Sequence, residues 1–208
     1  MNWHSFCGRG GTSGVGVNAF EVGGVIFDGG HAGAGDEPFA PSSFQTPSRI
    51  PPIITRLTMT PQWQVSLFYP EGVVVAGEDE LDFFRRELPL RTLESLQTLA
   101  YAYHGVAPAI VEGDLRTLGH ALRQIHSVGF KKRELAQQSH EVRTLLSELQ
   151  AIETVAAGMS SLGPLIYAIT ESHNQAANTD IRAIAVAAGV DVVPARPTDS
   201  GYRIEPSA

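Results

Sequence analysis

In the last 120 residues of the chain apolar residues recur every three or four positions. Leu93, Leu96, Leu99, Ala100 and Tyr103 define one helical face. Val111, Leu115, Leu118, Leu122 and Ile125 define a second. Val142, Leu145, Leu146, Leu149 and Ile152 define a third, with Ser139 placed to cap its start. The period then shortens. A strand is predicted near Thr154, a small-residue loop over 157–163, and a strand over 165–170. A helix over 174–188, closed by Gly189, leads to a strand over 190–193. These elements predict an α+β fold, with helices packed on one face of a mostly antiparallel sheet.

The first part of the chain patterns differently. Val15, Ala19 and Val22 predict a helix over 13–22, which Gly23 and Gly24 would end. Val25, Ile26 and Phe27 read as a short buried strand, broken by Asp28, Gly29, Gly30 and His31. Residues 32–61 hold six prolines and predict a long surface loop with one strand near 53–57. Aromatic and β-branched residues over 63–69 predict another strand. Glu78, Asp79, Glu80 and Asp82 crowd an acidic stretch over 72–89, the expected joint between two domains, 1–76 and 77–208. Acids at a helix start favour its positive dipole end, so a solvated helix start is the simpler reading and metal binding the other.

Composition narrows the chemistry. The chain has 208 residues, 43% hydrophobic and 18% charged, as expected for a globular protein able to bury a core without staples. Its net charge of −7 leaves no electrostatic footprint for non-specific nucleic-acid binding. No apolar run approaches the ~18 residues of a membrane span, and the opening residues have no basic start or apolar signal core, so a cytoplasmic protein is expected. A single cysteine excludes an internal disulfide framework and a thiolate-rich zinc site. The two lysines are adjacent, Lys131 and Lys132, and neither follows a glycine as a Walker A loop requires.

Four segments can carry chemistry. Gly8-Arg9-Gly10-Gly11-Thr12-Ser13-Gly14 lies just before the first helix. Closely spaced glycines let backbone N–H groups converge on one anion, a helix start adds to that field, and Arg9 brings a fork matched to phosphate. A phosphate cradle and a mobile glycine loop both fit the pattern. Ser13 stands where a dinucleotide-binding fingerprint needs its third glycine. Asp28 and His31 can hold Mg²⁺ or move a proton; a turn in which Asp28 bonds its own backbone is the plainer alternative. Gly158, Ser160 and Ser161, in the loop over 157–163, suit close contact with a polar ligand, or form a plain hairpin connection. Lys131, in the run Gly129-Phe130-Lys131-Lys132-Arg133, offers an anion contact unless the run is merely solvated surface.

The segment GRGGTSGVGVNAFEVGGVIFDGGH (8–31) resembles the signature of the β-ribofuranosylaminobenzene 5′-phosphate synthase family, in the GHMP kinase superfamily. GEDELDFF (77–84), VGFKKRE (128–134) and AGMSSLGPLIYAIT (157–170) follow in the same order. The resemblance implies a GHMP-kinase-like two-domain fold: a β/α N-terminal domain, here partial, and a ferredoxin-like α+β C-terminal domain. Superfamily kinases carry a further phosphate-binding loop upstream of GRGGTSG, and that part of the N-terminal domain is expected to be missing here. In those kinases a P-S-G-x-D segment supplies a catalytic Asp; Gly16 stands at that place. The serine loop at 158–163 occupies the superfamily's third motif, beside the nucleotide phosphates in the kinases.

The implied reaction joins phosphoribosyl pyrophosphate to 4-aminobenzoate or 4-hydroxybenzoate, releasing pyrophosphate and carbon dioxide, in tetrahydromethanopterin biosynthesis. Carried to this chain, Arg9, Asp28 and His31 are the expected catalytic residues. Gly10, Gly11, Thr12, Ser13, Gly14, Lys131, Gly158, Ser160 and Ser161 are expected to bind phosphate or sugar, and Asp28 to hold Mg²⁺. Partners are small molecules, with no nucleic acid or membrane; a homodimer is left open. The competing expectations are an ATP-dependent small-molecule kinase and an inactive module that only binds or dimerises.

Overall fold

The structure, a computed structural model, describes residues 14–30, 41, 44 and 50–203. These fall into two compact units. One comprises described residues within Met1–Thr58, Ala76–Leu88 and Pro197–Ala208, the other Met59–Val75 and Pro89–Arg196.

In the first unit, helix α1 (Val15–Val22) leads through Gly23 and Gly24 into strand β1 (Val25–Asp28). Both glycines take positive φ, 68° and 78°, and a Cβ on Gly24 would lie 2.8 Å from the Leu57 carbonyl oxygen, so glycine is required at this reversal. β1 pairs antiparallel with β2 (Ile53–Leu57), Val25 opposite Leu57, with a bulge between Phe27 and Asp28. The segment after Pro197 binds back: Gly24 N–H donates to Thr198 O (2.7 Å), Tyr202 N–H to Phe20 O (3.0 Å), and Arg56 Nη2 to Asp199 O, while Arg56 Nε donates to Gly23 O (3.0 Å). Helix α2 (Glu78–Glu87) carries Glu78, Asp79 and Glu80 in its first turn and Arg85 and Arg86 in its last. Both ends match the helix dipole, and the acidic run is the helix start expected of it. Phe83 and Phe84 are its buried residues.

The second unit is built on strand β3 (Trp63–Phe68). Helix α3 (Thr92–Tyr101) continues through a π-helical stretch (Ala102–Val106) into α4 (Ala107–Glu112). Then come α5 (Leu115–Ser127), α6 (Gly129–Ala136), α7 (His140–Ala151), β4 (Ala156–Met159), β5 (Ile166–Glu171), α8 (Gln175–Ala188) and β6 (Val192–Ala195). The sheet order is β4-β5-β3-β6, every pair antiparallel, with Trp63 opposite Glu171 and Val65 opposite Ala195. This β-α-β-β-α-β order is ferredoxin-like, as expected. Pro194 sits in β6, an edge strand, where a missing N–H costs the ladder least. The core lies between the sheet and helices α7 and α8. Val142, Leu145, Leu146 and Leu149 from α7 and Ala177, Ile181 and Ala185 from α8 meet Phe68, Met159, Ile166 and Ala168. Side-chain caps start three helices: Asp114 accepts from Thr117 N–H (3.0 Å), Ser139 from Val142 N–H (3.3 Å), Asn174 from Ala177 N–H (3.1 Å).

Four sequence expectations change. Val111 is not on the second helical face: Gly113, at φ 70°, ends α4 before α5 begins, and Val111 is exposed. The stripe Leu93, Leu96, Leu99 on α3 is exposed, not core. The strand expected near Thr154 is β4, which takes Ala157 and Gly158 out of the predicted loop. Strand β3, placed by the sequence in the first domain, is hydrogen-bonded between β5 and β6.

Candidate active site

Arg9, Gly10, Gly11, Thr12, Ser13 and His31 lie outside the described residues. Gly14 immediately precedes α1, one residue later than the expected helix start, and its carbonyl accepts from Asn18 N–H (2.8 Å). Asn18 Nδ2 donates to Pro51 O (3.0 Å), fixing this helix end in the first unit. Gly16 follows on the exposed side, with nothing within 4 Å of where a Cβ would stand. Asp28 closes β1, and its Oδ1 accepts from Gly30 N–H (3.0 Å). That is the turn reading of the Asp-Gly-Gly-His segment. Among the described residues no group of three or more His, Cys, Asp and Glu could by itself hold a metal ion.

The other predicted residues lie in the second unit, around the turn joining β4 to β5. Ser160 N–H donates to Leu165 O (2.9 Å), and Gly163 N–H to Ser160 O (2.9 Å). Ser161 takes φ +43°, rare for a residue with a side chain. Lys131 Nζ donates to the Ser161 carbonyl and pairs with Glu134 at 2.9 Å. The structure thus brings Lys131 and the serine loop together. The basic run is no solvated stripe: Lys131 turns to the loop, Lys132 is exposed, and Arg133 grips Glu94 of α3 (3.1 and 3.2 Å) and the Gly129 carbonyl (2.9 Å). These residues form α6, a helix the sequence reading did not propose.

Gly158 is a strand residue buried in β4. A Cβ there would collide with the Tyr167 hydroxyl and lie 3.0 Å from His126 Cε1. Its visible job is to admit a ring; no approach to a ligand is needed to explain it. His126 accepts from Met159 N–H at Nε2 (3.0 Å) and donates from Nδ1 to Leu122 O (2.7 Å). Both nitrogens are committed, so the imidazole is neutral. Gln150 Nε2 donates to Ala157 O (3.1 Å). Together the two side chains satisfy outward groups of edge strand β4 and close it to further pairing.

Burial sets the electrostatics. It pushes the Lys131 ammonium below its ordinary pKa and the Glu134 carboxyl above its own, each partly offset by the other's charge. It lowers His126, and the nearby Lys131 charge adds to that. It raises the Tyr167 phenol to about 12. Glu94 moves the other way: hydrogen bonds from Arg91 and Arg133 hold it at about 2.

Three residues here escaped the sequence reading: His126, Glu134 and Gln138. Gln138 is buried and donates from Nε2 to Leu162 O (2.7 Å) and Val73 O (2.9 Å), while its Oε1 accepts from Val73 N–H (3.2 Å). The signal for Glu134 was its spacing three residues after Lys131 on a helix. Gln138 left none, because its partners are backbone groups distant in sequence.

Residues 106–180 match the family described as GHMP kinases C terminal. Two solved structures share the fold: homoserine kinase from Cytophaga hutchinsonii (TM-score 0.55, 16% identity, 73% of this chain and 46% of that one) and phosphomevalonate kinase from Streptococcus pneumoniae (TM-score 0.51, 10% identity, 67% and 41%). The chain therefore has a GHMP-kinase-like α+β fold with a ferredoxin-like C-terminal sheet domain. In sequence it is closely related to β-ribofuranosylphenol 5′-phosphate synthases. It is 40% identical to that of Methanocaldococcus jannaschii over 164 residues, 77% of this chain and 49% of the relative. It is 38% identical to that of Archaeoglobus fulgidus over 167 residues, 80% and 51%. The chain spans about half the length of these curated relatives. No helix among the described residues is long and apolar enough to cross a membrane.

Proposed function

We propose that the chain serves a pentosyl transfer of the kind its relatives' names describe: a phosphoribosyl group from phosphoribosyl pyrophosphate is joined to an aromatic acid. The observation that carries this reading is the 36–40% identity to three such synthases over 77–80% of the chain. Those names specify a ribosylated phenol, which favours 4-hydroxybenzoate over 4-aminobenzoate as the acceptor; a place in tetrahydromethanopterin biosynthesis is part of the reading and rests on the sequence resemblance. The C1–O bond to pyrophosphate breaks, and the leaving group takes the electron pair. The ring carbon bearing the carboxylate bonds to C1. Carbon dioxide then departs, and its bonding electrons restore the aromatic ring. No protein nucleophile is needed.

Charge must be stabilised as pyrophosphate leaves, and preorganised donors do this best. In this reading Arg9, Gly10, Gly11, Thr12, Ser13 and Gly14 hold the pyrophosphate at the start of α1. Ser160 and Ser161 meet the sugar phosphate, and His31 orients substrate. Mg²⁺ characteristically keeps several waters and binds one or two carboxylates plus substrate phosphate. A single carboxylate such as Asp28 fits that habit, and the ion would neutralise leaving-group charge. Gly16 offers no carboxylate to serve as a kinase base.

The test is direct. The chain is incubated with Mg²⁺, phosphoribosyl pyrophosphate and carboxyl-labelled 4-hydroxybenzoate, and labelled carbon dioxide and pyrophosphate are measured. Equal release of both supports the reading, and Arg9→Ala should cut it about a hundredfold or more, as removal of a key transition-state donor does. Phosphorylation of a small alcohol by ATP, with no carbon dioxide released, would replace it with a kinase.

A further inference from the structure

Three successive carbonyls of the turn between β4 and β5 point at protein donors. Ser160 O accepts from Gly163 N–H (2.9 Å), Ser161 O from Lys131 Nζ, and Leu162 O from Gln138 Nε2 (2.7 Å). In a planar trans peptide the C=O and the following N–H point in opposite directions. Fixing the carbonyls of Ser160 and Ser161 therefore directs the N–H groups of Ser161 and Leu162 the other way. Neither has a hydrogen-bond acceptor among the described residues. Successive free N–H groups around a left-handed residue are the geometry of an anion nest. Ser161, at φ +43°, is such a residue.

We propose that Lys131, Glu134 and Gln138 are positioning residues: they grip the outer carbonyls of this turn and so present the Ser161 and Leu162 N–H groups to an anionic group of the substrate. The proposal rests on the serine loop being a phosphate site, as in the reading above. It differs from the sequence expectation for Lys131. Its ammonium is spent on a carbonyl and on Glu134, not on a ligand, and it acts through the loop. Glu134 offsets part of the cost of burying the ammonium charge. Gln138 also ties the loop to Val73, on the segment after β3, by a donor and an acceptor (2.9 and 3.2 Å). Positive φ at Ser161 costs on the order of 1 kcal/mol and persists only where neighbours over-determine it. The grip supplies that determination.

The experiment uses the whole chain, amide NMR and ribose 5-phosphate as probe. In the unmodified chain ribose 5-phosphate should shift the Ser161 and Leu162 amides. K131M and Q138L should each speed hydrogen exchange at the Ser160 and Gly163 amides, which are bonded within the loop, and weaken ribose 5-phosphate binding about tenfold. K131M should keep the wild-type dependence of affinity on salt, because no charge has left the ligand. K131R should restore affinity to within about twofold, since it keeps a donor for the Ser161 carbonyl. If Q138L does not fold, Q138E keeps the acceptor for Val73, loses both donors and reports the same loss. Unchanged exchange in K131M and Q138L overturns the grip. A shallower salt dependence in K131M with unchanged exchange makes Lys131 a ligand contact instead. Absence of ribose 5-phosphate shifts at the two amides in the unmodified chain, with exchange still responding, overturns the anion role of the loop and the purpose given to the grip.

Discussion

At Gly158 the chain has traded a side chain for a ring. The Tyr167 hydroxyl occupies the space a Cβ would need, with Cζ 2.6 Å and His126 Cε1 3.0 Å from the same point. G158A forces a buried strand pair apart and should cost about 1–3 kcal/mol of stability. Y167F alone should be nearly neutral, since the hydroxyl has no partner among the described residues. Combined with G158A it should recover part of the loss, because Cζ still crowds the site; a double-mutant cycle by chemical denaturation measures the coupling. The neighbouring His126 predicts a pH response. Its folded pKa lies below the ordinary 6.5, chiefly through burial. The unfolded chain therefore takes up the proton first as pH falls. The stabilisation is complete above the unfolded value and is lost as pH drops below 6.5 through the folded pKa. The denaturation midpoint should fall as pH drops below 6.5, and H126Q should flatten that fall.

Elements were legible in the sequence where one side of them is buried. α7 carries apolar residues at i, i+3, i+4 and i+7 in the core and α8 at i, i+4 and i+8, and the cap at Ser139 is where the spacing puts it. Reading failed where tertiary contacts decide. The α3 stripe has the spacing of a core face yet lies open. α6 has no apolar periodicity; what fixes it are polar grips, Lys131 on the loop and Arg133 on Glu94. β4 is four small or flexible residues, Ala-Ala-Gly-Met, which look like a loop until β5 pairs with them. The Glu94 link between α3 and α6 can be tested. Arg91 and Arg133 hold its carboxylate at about 2, below the ordinary 4.5. Its contribution is present above pH 4.5 and is lost as pH falls towards about 2. E94Q should lower stability at neutral pH and flatten the acid limb of the profile over that window. R133K, which breaks the two-point grip, should show the same sign with a smaller effect.

For the molecule as a whole, the fold cannot choose the chemistry, because GHMP-kinase-like architecture is shared by proteins whose names are kinases and by those named synthases. Much of the expected site was legible only through family resemblance. Spacing alone left the glycine loop, the Asp-Gly-Gly-His segment and the serine loop each with a structural alternative. For Asp28 the turn geometry is present, and for Gly158 packing suffices. The remaining choice belongs to ligand linkage. A ligand that binds only the folded chain raises its unfolding free energy by about 2.7 kcal/mol at a hundred times its Kd. If the transfer reading holds, phosphoribosyl pyrophosphate with Mg²⁺ should raise the melting temperature. Inorganic pyrophosphate should do so more weakly, having lost the sugar phosphate that the serine loop is proposed to meet. ATP with Mg²⁺ should act no more strongly than pyrophosphate, because its 5′ oxygen carries the polyphosphate and its C1′ carries a base, so it cannot present a 5-phosphate monoester and a C1 pyrophosphate together. K131M should narrow the gap between phosphoribosyl pyrophosphate and pyrophosphate, since it loosens the loop that distinguishes them. A melting shift with ATP larger than that with phosphoribosyl pyrophosphate would make a nucleotide the ligand and remove the pentosyl reading.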